Sequence, residues 1–342
     1  MIPRVELAPG LSISRLIKGG WHLAGDHGAV DPDQALRDMA AFVDAGITTF
    51  DCADIYTGVE ELIGRFRRAY PGHAARLRIH TKLVPDLDQL RTVDRAYVER
   101  IVDRSLRRLG VERLDLVQLH WWDCTVPRHV EVALELERLR RAGKIDGIGL
   151  TNFDSVQLLE FLDAGVPVLT HQLQYSLLDD RPERGVVDLC RARGIALLAY
   201  GTVAGGFLSD RWLGRPSPAE PLENRSLVKY RLMIDEFGGW PLFQELLGAV
   251  RRIADRHGCD VATVATRAVL DRPGVAAAIV GATSTAHLGA HARLGALVLD
   301  PEDLAALDAV TRRRAGPGGD VYALERDREG PHGRIMKYTL NR

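Results

Sequence analysis

The sequence alternates eight times between a short apolar run and a longer segment with helical periodicity. In chain order the runs read RLIKGG, ITTFDCA, LRIHTKL, LDLVQLHW, IDGIGLTN, VPVLTHQL, IALLAYG and VAAAIVGA. Strict alternation of strands and helices requires parallel strands joined by crossover helices. Eight such units in 342 residues predict an α/β fold, a single (β/α)8 TIM barrel that forms one domain over residues 1–342. A doubly wound open sheet is the alternative, but no G-x-G-x-x-G motif follows the first run.

Residues that begin and end helices lie between the apolar runs. Asp31 can cap a helix, Pro32 suits its first turn, and Gly46 stands just past its end. A second segment, TVDRAYVERIVDRSLRRLG, has its apolar residues on one face and ends on Gly110. These signals support helices between the strands.

Two stretches are longer than ordinary connections. One covers about residues 201–240, between the seventh run and the helix expected after it. The other is the C-terminal tail from about residue 314. Long connections in a compact domain usually serve as lids or binding segments. We therefore expect a functional segment in each of them.

Composition and charge argue against several classes of partner. The 45 basic and 46 acidic residues nearly cancel, so there is no electrostatic reason to expect nucleic acid or an anionic membrane. The four cysteines lie far apart with no C-x-x-C pair, which is typical of a reducing compartment. No secretory signal pattern and no apolar run of membrane-spanning length is present. We expect a cytoplasmic protein that is a monomer or a small homo-oligomer.

Polar residues stand at the carboxyl ends of the predicted strands. Asp51 and Tyr56 follow the second run, Lys82 ends the third, and His120 ends the fourth. The later runs end in four further polar residues, Thr151, Asn152, Gln172 and Tyr200. The carboxyl ends of the strands in a parallel barrel share one rim, and active sites of such barrels lie there. The sequence therefore predicts a polar site at this rim.

Asp51, Tyr56, Lys82 and His120 form a chemically coherent group. Lys82 can pair with Asp51, which offsets the cost of burying both charges. An ammonium near the Tyr56 hydroxyl favours the phenolate and lowers the pKa of the phenol, which suits reversible proton donation. His120 can donate a hydrogen bond to a substrate oxygen. Singly, each residue could be structural, but their convergence on one rim favours a catalytic site.

The same residues lie in motifs that resemble those of the aldo-keto reductase superfamily. The motifs are FDCADIYTGVEELIGRF, TK, DLVQLHWWD, GKIDGIGLTNF, HQLQYSLL and LLAYGTVAGGFLS, and the resemblance spans roughly residues 10–310. The resemblance implies hydride transfer between a nicotinamide cofactor and the carbonyl carbon of an aldehyde or ketone. It implies Tyr56 as the proton donor, Lys82 as the residue that lowers its pKa, Asp51 as the partner of Lys82, and His120 as the residue that orients the carbonyl.

The resemblance also implies a cofactor site. Asn152 and Gln172 match residues that bind the nicotinamide carboxamide, with Thr151 in the place of a serine, and Tyr200 matches the ring that stacks on the nicotinamide. The residues expected at the rest of the cofactor are Gly201, Gly281, Ala282, Thr283 and His287.

The adenosine end departs from the family pattern. His287 stands in place of the arginine that pairs with the 2′-phosphate, and Ala290 and His291 replace a glutamate and an asparagine. Backbone amides of the GATS segment before a helix can still hold a phosphate. We therefore expect NADP(H) to be favoured, with NAD(H) as a possible cofactor.

The substrate pocket is expected to be aromatic. Trp21 and His22 follow the first run, and Trp121 and Trp122 follow His120. Such walls suit the face of a sugar or a bulky ketone, and the sequence does not choose between them. The resemblance implies that the tail folds over the rim and adds a wall to this pocket.

Two other functions are weighed against this one. A barrel with the same four residues could bind nicotinamide cofactor as a regulatory or sensing subunit with little turnover. A metal-dependent hydrolase would need several histidine and aspartate ligands at strand ends, and only His120 and Asp51 are well placed. We expect no metal.

Overall fold

Residues 2–24, 30–281 and 284–341 are described by a computed structural model. Within them, β1 and β2 form an antiparallel hairpin, and eight parallel strands close into a barrel in the order β10-β3-β4-β5-β6-β7-β8-β9. The strands are β1 Arg4–Ala8, β2 Leu11–Ser14, β3 Leu16–Gly19, β4 Thr49–Asp51, β5 Arg78–Leu83, β6 Leu114–His120, β7 Ile145–Thr151, β8 Val168–Gln174, β9 Ala196–Tyr200 and β10 Val275–Val280. The predicted (β/α)8 barrel is confirmed, and that it forms one domain stays a prediction.

Helices surround the barrel and connect its strands. They are α1 Pro32–Asp44, α2 Val59–Ala69, α3 Pro71–Ala74, α4 Arg95–Leu109, α5 His129–Arg141, α6 Ser155–Asp163, α7 Val186–Ala192, α8 Arg225–Phe237, α9 Gly239–Arg256, α10 Val261–Leu270, α11 Leu288–Leu294, α12 Pro301–Thr311, α13 Ala323–Arg326 and α14 Pro331–Arg334. The expected signals begin and end α1: the Asp31 side chain accepts from the amides of Asp33 and Gln34, and Gly46 beyond the end has φ of 90°.

Apolar side chains fill the interior of the barrel near the amino ends of its strands. Ile17, Leu116, Leu198 and Ala277 come from four different strands of the barrel and pack together with Ile13 of the hairpin. The hairpin thus covers the amino end of the barrel. This leaves the carboxyl end for polar groups.

The long connection after β9 is shorter than the sequence predicts. Its second half is α8, whose Asn224 cap accepts a hydrogen bond from the amide of Leu227. The buried residues of α8 recur at helical spacing, so the signal was present in the sequence. The part without an α-helix therefore covers only residues 201–224.

The C-terminal tail crosses the carboxyl end of the barrel, as predicted. Its Tyr322 packs against His120, and its Tyr338 packs against Trp122. Near the end of the chain, the amide of Leu340 donates a hydrogen bond of 2.8 Å to the Asp86 side chain. The tail is therefore anchored on both sides of the mouth.

Candidate active site

Asp51, at the end of β4, is surrounded by hydrogen-bond donors. Its Oδ2 lies 2.6 Å from the Lys82 Nζ, and Lys82 also donates to the carbonyl oxygen of Cys52 at 2.9 Å. Its Oδ1 accepts from the side-chain amides of Gln118 at 3.1 Å and Gln172 at 2.7 Å. Asp51 and Lys82 are both buried, and these contacts offset the cost of removing their charges from water. The ion pair is thereby fixed inside the barrel mouth.

Tyr56 lies next to this ion pair. The Lys82 Nζ is 5.1 Å from the centre of the Tyr56 ring, and the Trp21 ring meets the Tyr56 ring at 5.2 Å, edge to face. Burial by itself lowers the pKa of Lys82, but Asp51 and Tyr56 outweigh it, so that this pKa is raised. The fold thus brings three predicted catalytic side chains together, those of Asp51, Tyr56 and Lys82.

The pKa of Tyr56 differs from the sequence-based expectation. Burial raises the pKa of the hydroxyl, and Lys82 opposes that rise without cancelling it. Lys82 acts in the expected direction, but the net pKa shift is upward. The physical reason is that desolvation penalises the phenolate more than one nearby ammonium stabilises it.

His120, at the end of β6, is held in one tautomer. Burial lowers its pKa to about 3, so the ring is neutral near pH 7. Its Nδ1 lies 3.2 Å from the carbonyl oxygen of Thr151, and a carbonyl oxygen only accepts hydrogen bonds. Nδ1 therefore carries the ring proton, and Nε2 keeps its lone pair. The donor role expected for His120 from the sequence does not fit this tautomer, because an Nε2 without a proton can only accept a hydrogen bond.

Aromatic side chains line the mouth around His120. Trp122 meets the His120 ring at 4.4 Å and Tyr322 meets it at 5.4 Å, both nearly perpendicular. Trp121 is a correction to the predicted pocket. It is fully buried, and its Nε1 donates to the carbonyl oxygen of Val126 in the layer between barrel and helices. Alternation along the strand explains this, because consecutive residues point to opposite sides of a barrel wall.

The residues expected at the nicotinamide lie on neighbouring strand ends. The Thr151 hydroxyl is buried and has no hydrogen-bond partner within the described part of the chain. The Asn152 Oδ1 accepts from the Tyr200 hydroxyl at 2.9 Å, and Asn152 has a left-handed backbone with φ of 63°. Gln172 donates to Asp51, as described above. Gly201 has φ of 76°, and a Cβ there would lie 2.0 Å from the Tyr230 hydroxyl.

The residues expected at the adenosine end of the cofactor follow β10. Gly281 follows β10 and is exposed, with the His22 ring beside it. His287 is exposed at the start of α11, and burial lowers the pKa of His291 on that helix to about 4. Ala282 and Thr283 lie outside the described residues.

Four charged side chains from different parts of the chain meet beside Tyr200. Arg181 pairs with Asp179 at 2.8 Å and with Glu325 of the tail at 3.0 Å, and Lys229 of α8 lies 3.7 Å from Glu325. Burial acts to raise the pKa of Glu325, but Arg181 and Lys229 outweigh it and hold it at about 2. This cluster joins the tail to the barrel.

The Aldo/keto reductase family profile matches residues 15–312, most of the chain. The chain belongs to the aldo/keto reductase family. It is 31% identical over 304 residues to aldo-keto reductase YhdN of Bacillus subtilis (strain 168), covering 86% of this chain and 88% of that protein. It is 32% identical over 302 residues to flagellar radial spoke protein 5 of Chlamydomonas reinhardtii, covering 70% of this chain and 56% of that protein. A solved glycerol dehydrogenase of Gluconobacter oxydans aligns with a TM-score of 0.77 and 25% identity, covering 93% of this chain and 97% of that one.

As an aldo/keto reductase, the chain is an oxidoreductase of carbonyl and alcohol groups. In the part of the chain that the structure describes, no three histidine, cysteine or acidic side chains are grouped to hold a metal ion. None of the described helices is long and apolar enough to span a membrane.

Several residues at this aldo/keto reductase site were missed by the sequence analysis. Gln118 stands two positions before His120, so strand alternation could have placed it inside the barrel. Lys229, Tyr322, Glu325 and Arg326 reach the mouth from α8 and the tail. The lengths of the two segments predicted a function for them, but no local pattern singles out these four residues, so only tertiary packing reveals them.

Proposed function

We propose that the protein is an NAD(P)H-dependent oxidoreductase that interconverts an aldehyde or ketone with its alcohol. One observation supports this most: the Lys82 ammonium lies between the Asp51 carboxylate and the Tyr56 ring at the carboxyl end of the barrel. That arrangement suits a phenol that gives up and recovers a proton. Family membership supports the same reaction class.

The site fits a nicotinamide carboxamide. A buried hydroxyl without a partner is costly, and the Thr151 hydroxyl is such a group in the described part of the chain. Asn152 and Gln172 offer amide groups on the adjoining strand ends, and Tyr200 offers a flat ring beside them. We propose that these four residues hold the nicotinamide. NADP(H), the usual cofactor of the family, is the favoured candidate, and NAD(H) is the second.

A bound nicotinamide supplies a hydride to the carbonyl carbon, or accepts one from the alcohol carbon. In the reductive direction Tyr56 gives its proton to the carbonyl oxygen, so hydride and proton together convert C=O to CH–OH. Lys82 stabilises the phenolate that remains, and Asp51 holds Lys82 in place. The neutral ring of His120 packs beside the substrate oxygen and fixes the orientation of the carbonyl or alcohol group. The oxidative direction uses the same contacts in reverse.

The shape of the mouth suits a substrate with a flat or apolar part. Trp21, Trp122 and Tyr322 surround Tyr56 and His120, and aromatic faces of this kind pack well against a sugar ring or a bulky ketone. Both substrate classes stay open. We propose that the tail, through Tyr322, contributes to the choice between them.

The test is a panel of aldehydes, ketones and the matching alcohols, each assayed with NADP(H) and NAD(H) by nicotinamide absorbance. We expect turnover in both directions with at least one substrate pair. Cofactor binding without turnover of any substrate would contradict the proposal and would support the alternative, a cofactor-sensing subunit. Dehydrogenase activity towards glycerol belongs in the panel, because a similar solved structure carries that name.

A further inference from the structure

The segment that carries Tyr56 is joined to the strand that carries Lys82 through one acidic residue, Asp54. The Asp54 amide donates a hydrogen bond to the carbonyl oxygen of Lys82 at 3.3 Å. The Asp54 Oδ1 accepts from the amide of Val84 at 3.2 Å. Asp54 therefore holds the backbone at Lys82 and again two residues beyond it. Because Tyr56 follows Asp54 by only two residues, the same contacts restrain the position of the proposed proton donor.

Asp54 also belongs to a closed ring of contacts with the end of the tail. The Arg104 Nη2 of α4 lies 3.4 Å from the Asp54 Oδ2 and donates to the Asn341 Oδ1 at 2.5 Å. The Asn341 side-chain amide donates in turn to the carbonyl oxygen of Val84 at 2.7 Å. Asp54, Val84, Arg104 and Asn341 thus form the Asp54 ring, which links the Tyr56 segment, the chain after β5, helix α4 and the tail.

The burial of Asp54 is costly in stability. Its side chain has no exposed surface. Burial and the nearby Glu60 raise the pKa of Asp54 well above its usual range, and Arg104 opposes this rise without cancelling it. The contacts with Val84 and Arg104, at 3.2 and 3.4 Å, are longer than the ~2.7–2.9 Å of strong charge-assisted hydrogen bonds. They therefore offset the cost of burial only in part, so Asp54 contributes more to geometry than to stability.

We infer that Asp54 is a positioning residue: through the Asp54 ring it fixes the Tyr56 hydroxyl beside the Lys82 ammonium and makes this placement depend on the seated tail. The inference rests on the proposed function, in which Tyr56 is the proton donor, and adds a residue that acts through Tyr56. Catalysis is sensitive to such placement, because a shift of about 1 Å can cost on the order of 10²-fold in rate. Since the Asp54 side chain has no exposed surface, it acts only through its neighbours.

The test separates kcat from KM in variants of Asp54. Asp54→Leu keeps the branching of the side chain and removes its acceptor oxygens. We expect kcat to fall by roughly tenfold or more, while KM for the carbonyl substrate and the dissociation constant of the cofactor change by no more than about twofold. Asp54→Asn keeps an oxygen that can accept from the Val84 amide, so its kcat should stay within about threefold of the wild-type value.

Asp94→Ala supplies the matched control. Asp94 also accepts from a backbone amide, that of Tyr97 at 2.8 Å, and caps the helix that carries Arg104. Its loss should leave kcat unchanged although the cap is removed. Asn341→Leu opens the Asp54 ring from the tail and should lower kcat by about threefold. Because both changes open one ring, adding Asn341→Leu to Asp54→Leu should lower kcat further by no more than about twofold.

A kcat of Asp54→Leu within about twofold of wild type would overturn the inference, as would a rise in KM with unchanged kcat. Losses that multiply in the double variant would also overturn it, because the tail would then act independently of Asp54. If Asp54→Leu does not fold, Asn341→Leu and Arg104→Met decide, and an unchanged kcat in both rejects the inference. The proposed function fails separately, if the wild type turns over no carbonyl or if Tyr56→Phe keeps its turnover.

Discussion

At the scale of single residues, the proton on Tyr56 is controlled by two opposing effects. Burial holds the hydroxyl in its protonated form, and Lys82 stabilises the phenolate that forms when the proton leaves. A protonated phenol is the form required for reduction of a carbonyl. Asp51 couples to this balance, because it accepts from Lys82 and from two glutamine amides at once. The chemistry proposed here therefore depends on a small number of contacts around one proton.

Replacing Tyr56 by phenylalanine tests that dependence directly. Tyr56→Phe removes the proton while keeping the ring against Trp21 and Lys82. We expect turnover to fall by about 10²–10⁴-fold, as for lost acid–base catalysis. The dissociation constant of the cofactor, measured by fluorescence titration, should change little. Tyr70→Phe, in a position packed on Phe66, serves as the control. Turnover of Tyr56→Phe within a few-fold of wild type would show that another group supplies the proton.

The second prediction at this scale concerns His287 and the choice of cofactor. An imidazole N–H can donate a hydrogen bond to a phosphate oxygen. If the exposed His287 contacts the 2′-phosphate, replacing it should weaken the affinity for NADP(H) and leave the affinity for NAD(H) unchanged. We expect NADP(H) to bind more tightly, with only moderate discrimination.

The measurement is a set of dissociation constants for both cofactors with the wild-type protein and with His287→Ala. We expect His287→Ala to weaken NADP(H) binding and to leave NAD(H) binding unchanged. Tighter binding of NAD(H) than of NADP(H) by the wild type would show that the departure from the family pattern outweighs the usual cofactor preference of the family.

At the scale of elements, the tail is part of the barrel mouth and not an appended end. Glu325 connects it to Arg181 and to Lys229 of α8, and Arg326 connects it to the backbone at the end of β7. Tyr322 has a left-handed backbone with φ of 64° and is buried against His120. The cost of that backbone conformation is balanced by the buried ion pairs that follow it. The tail therefore contributes to stability as well as to the pocket.

Glu325→Gln tests how strongly the tail is held. Glu325 is 1% exposed, and its loss of charge leaves Arg181 with Asp179 alone and removes the ion-pair partner of Lys229 in the described residues. We expect the free energy of unfolding to fall by about 3 kcal/mol, as for a broken buried pair. Urea denaturation followed by tryptophan fluorescence provides the measurement. The matched variant Glu329→Gln removes an exposed carboxylate of the same tail and should change stability by less than about 0.5 kcal/mol. Equal stability of the two variants would mean that the cluster does not hold the tail.

At the scale of the whole molecule, three buried histidines on barrel strands are neutral near pH 7. Burial lowers the pKa of His80 to about 4 and the pKa values of His120 and His171 to about 3. An unfolded chain protonates histidine near pH ~6.5, so below that value the unfolded state binds more protons than the folded state. The stabilising effect of keeping these rings neutral is complete above about pH 6.5 and decreases as the pH falls towards 3–4.

This linkage predicts acid sensitivity of the fold. The free energy of unfolding should decrease from about pH 6.5 to about pH 4.5, by at most about 1.4 kcal/mol per pH unit for each histidine. His80→Leu should make that decrease shallower, because it removes one of the buried histidines that contribute to it. Urea denaturation at intervals of pH measures this. A wild-type stability that is constant over this range would contradict the prediction.

Much of the fold could be predicted because its signals are local. The eight apolar runs became the eight barrel strands, and Asp31 and Gly46 mark the ends of α1 as expected. The position of Lys82 beside Asp51 followed from the rule that parallel strand ends share a rim. The prediction that Trp121 lines the substrate pocket was wrong. Strand alternation points this residue away from the side on which His120 lies, although the two are adjacent in sequence.

The sequence by itself determined which side chains stand at the carboxyl ends of the strands. The reason is that hydrophobic periodicity, and the residues that begin and end helices and strands, are properties of short segments. Only the tertiary structure decided what those side chains do to one another. Burial reversed the expected pKa shift of Tyr56, the Thr151 carbonyl selected the tautomer of His120, and the tail brought Arg326 to the mouth. Desolvation, hydrogen-bond partners and long-range contacts depend on residues that are far apart in the chain, and no local pattern records them.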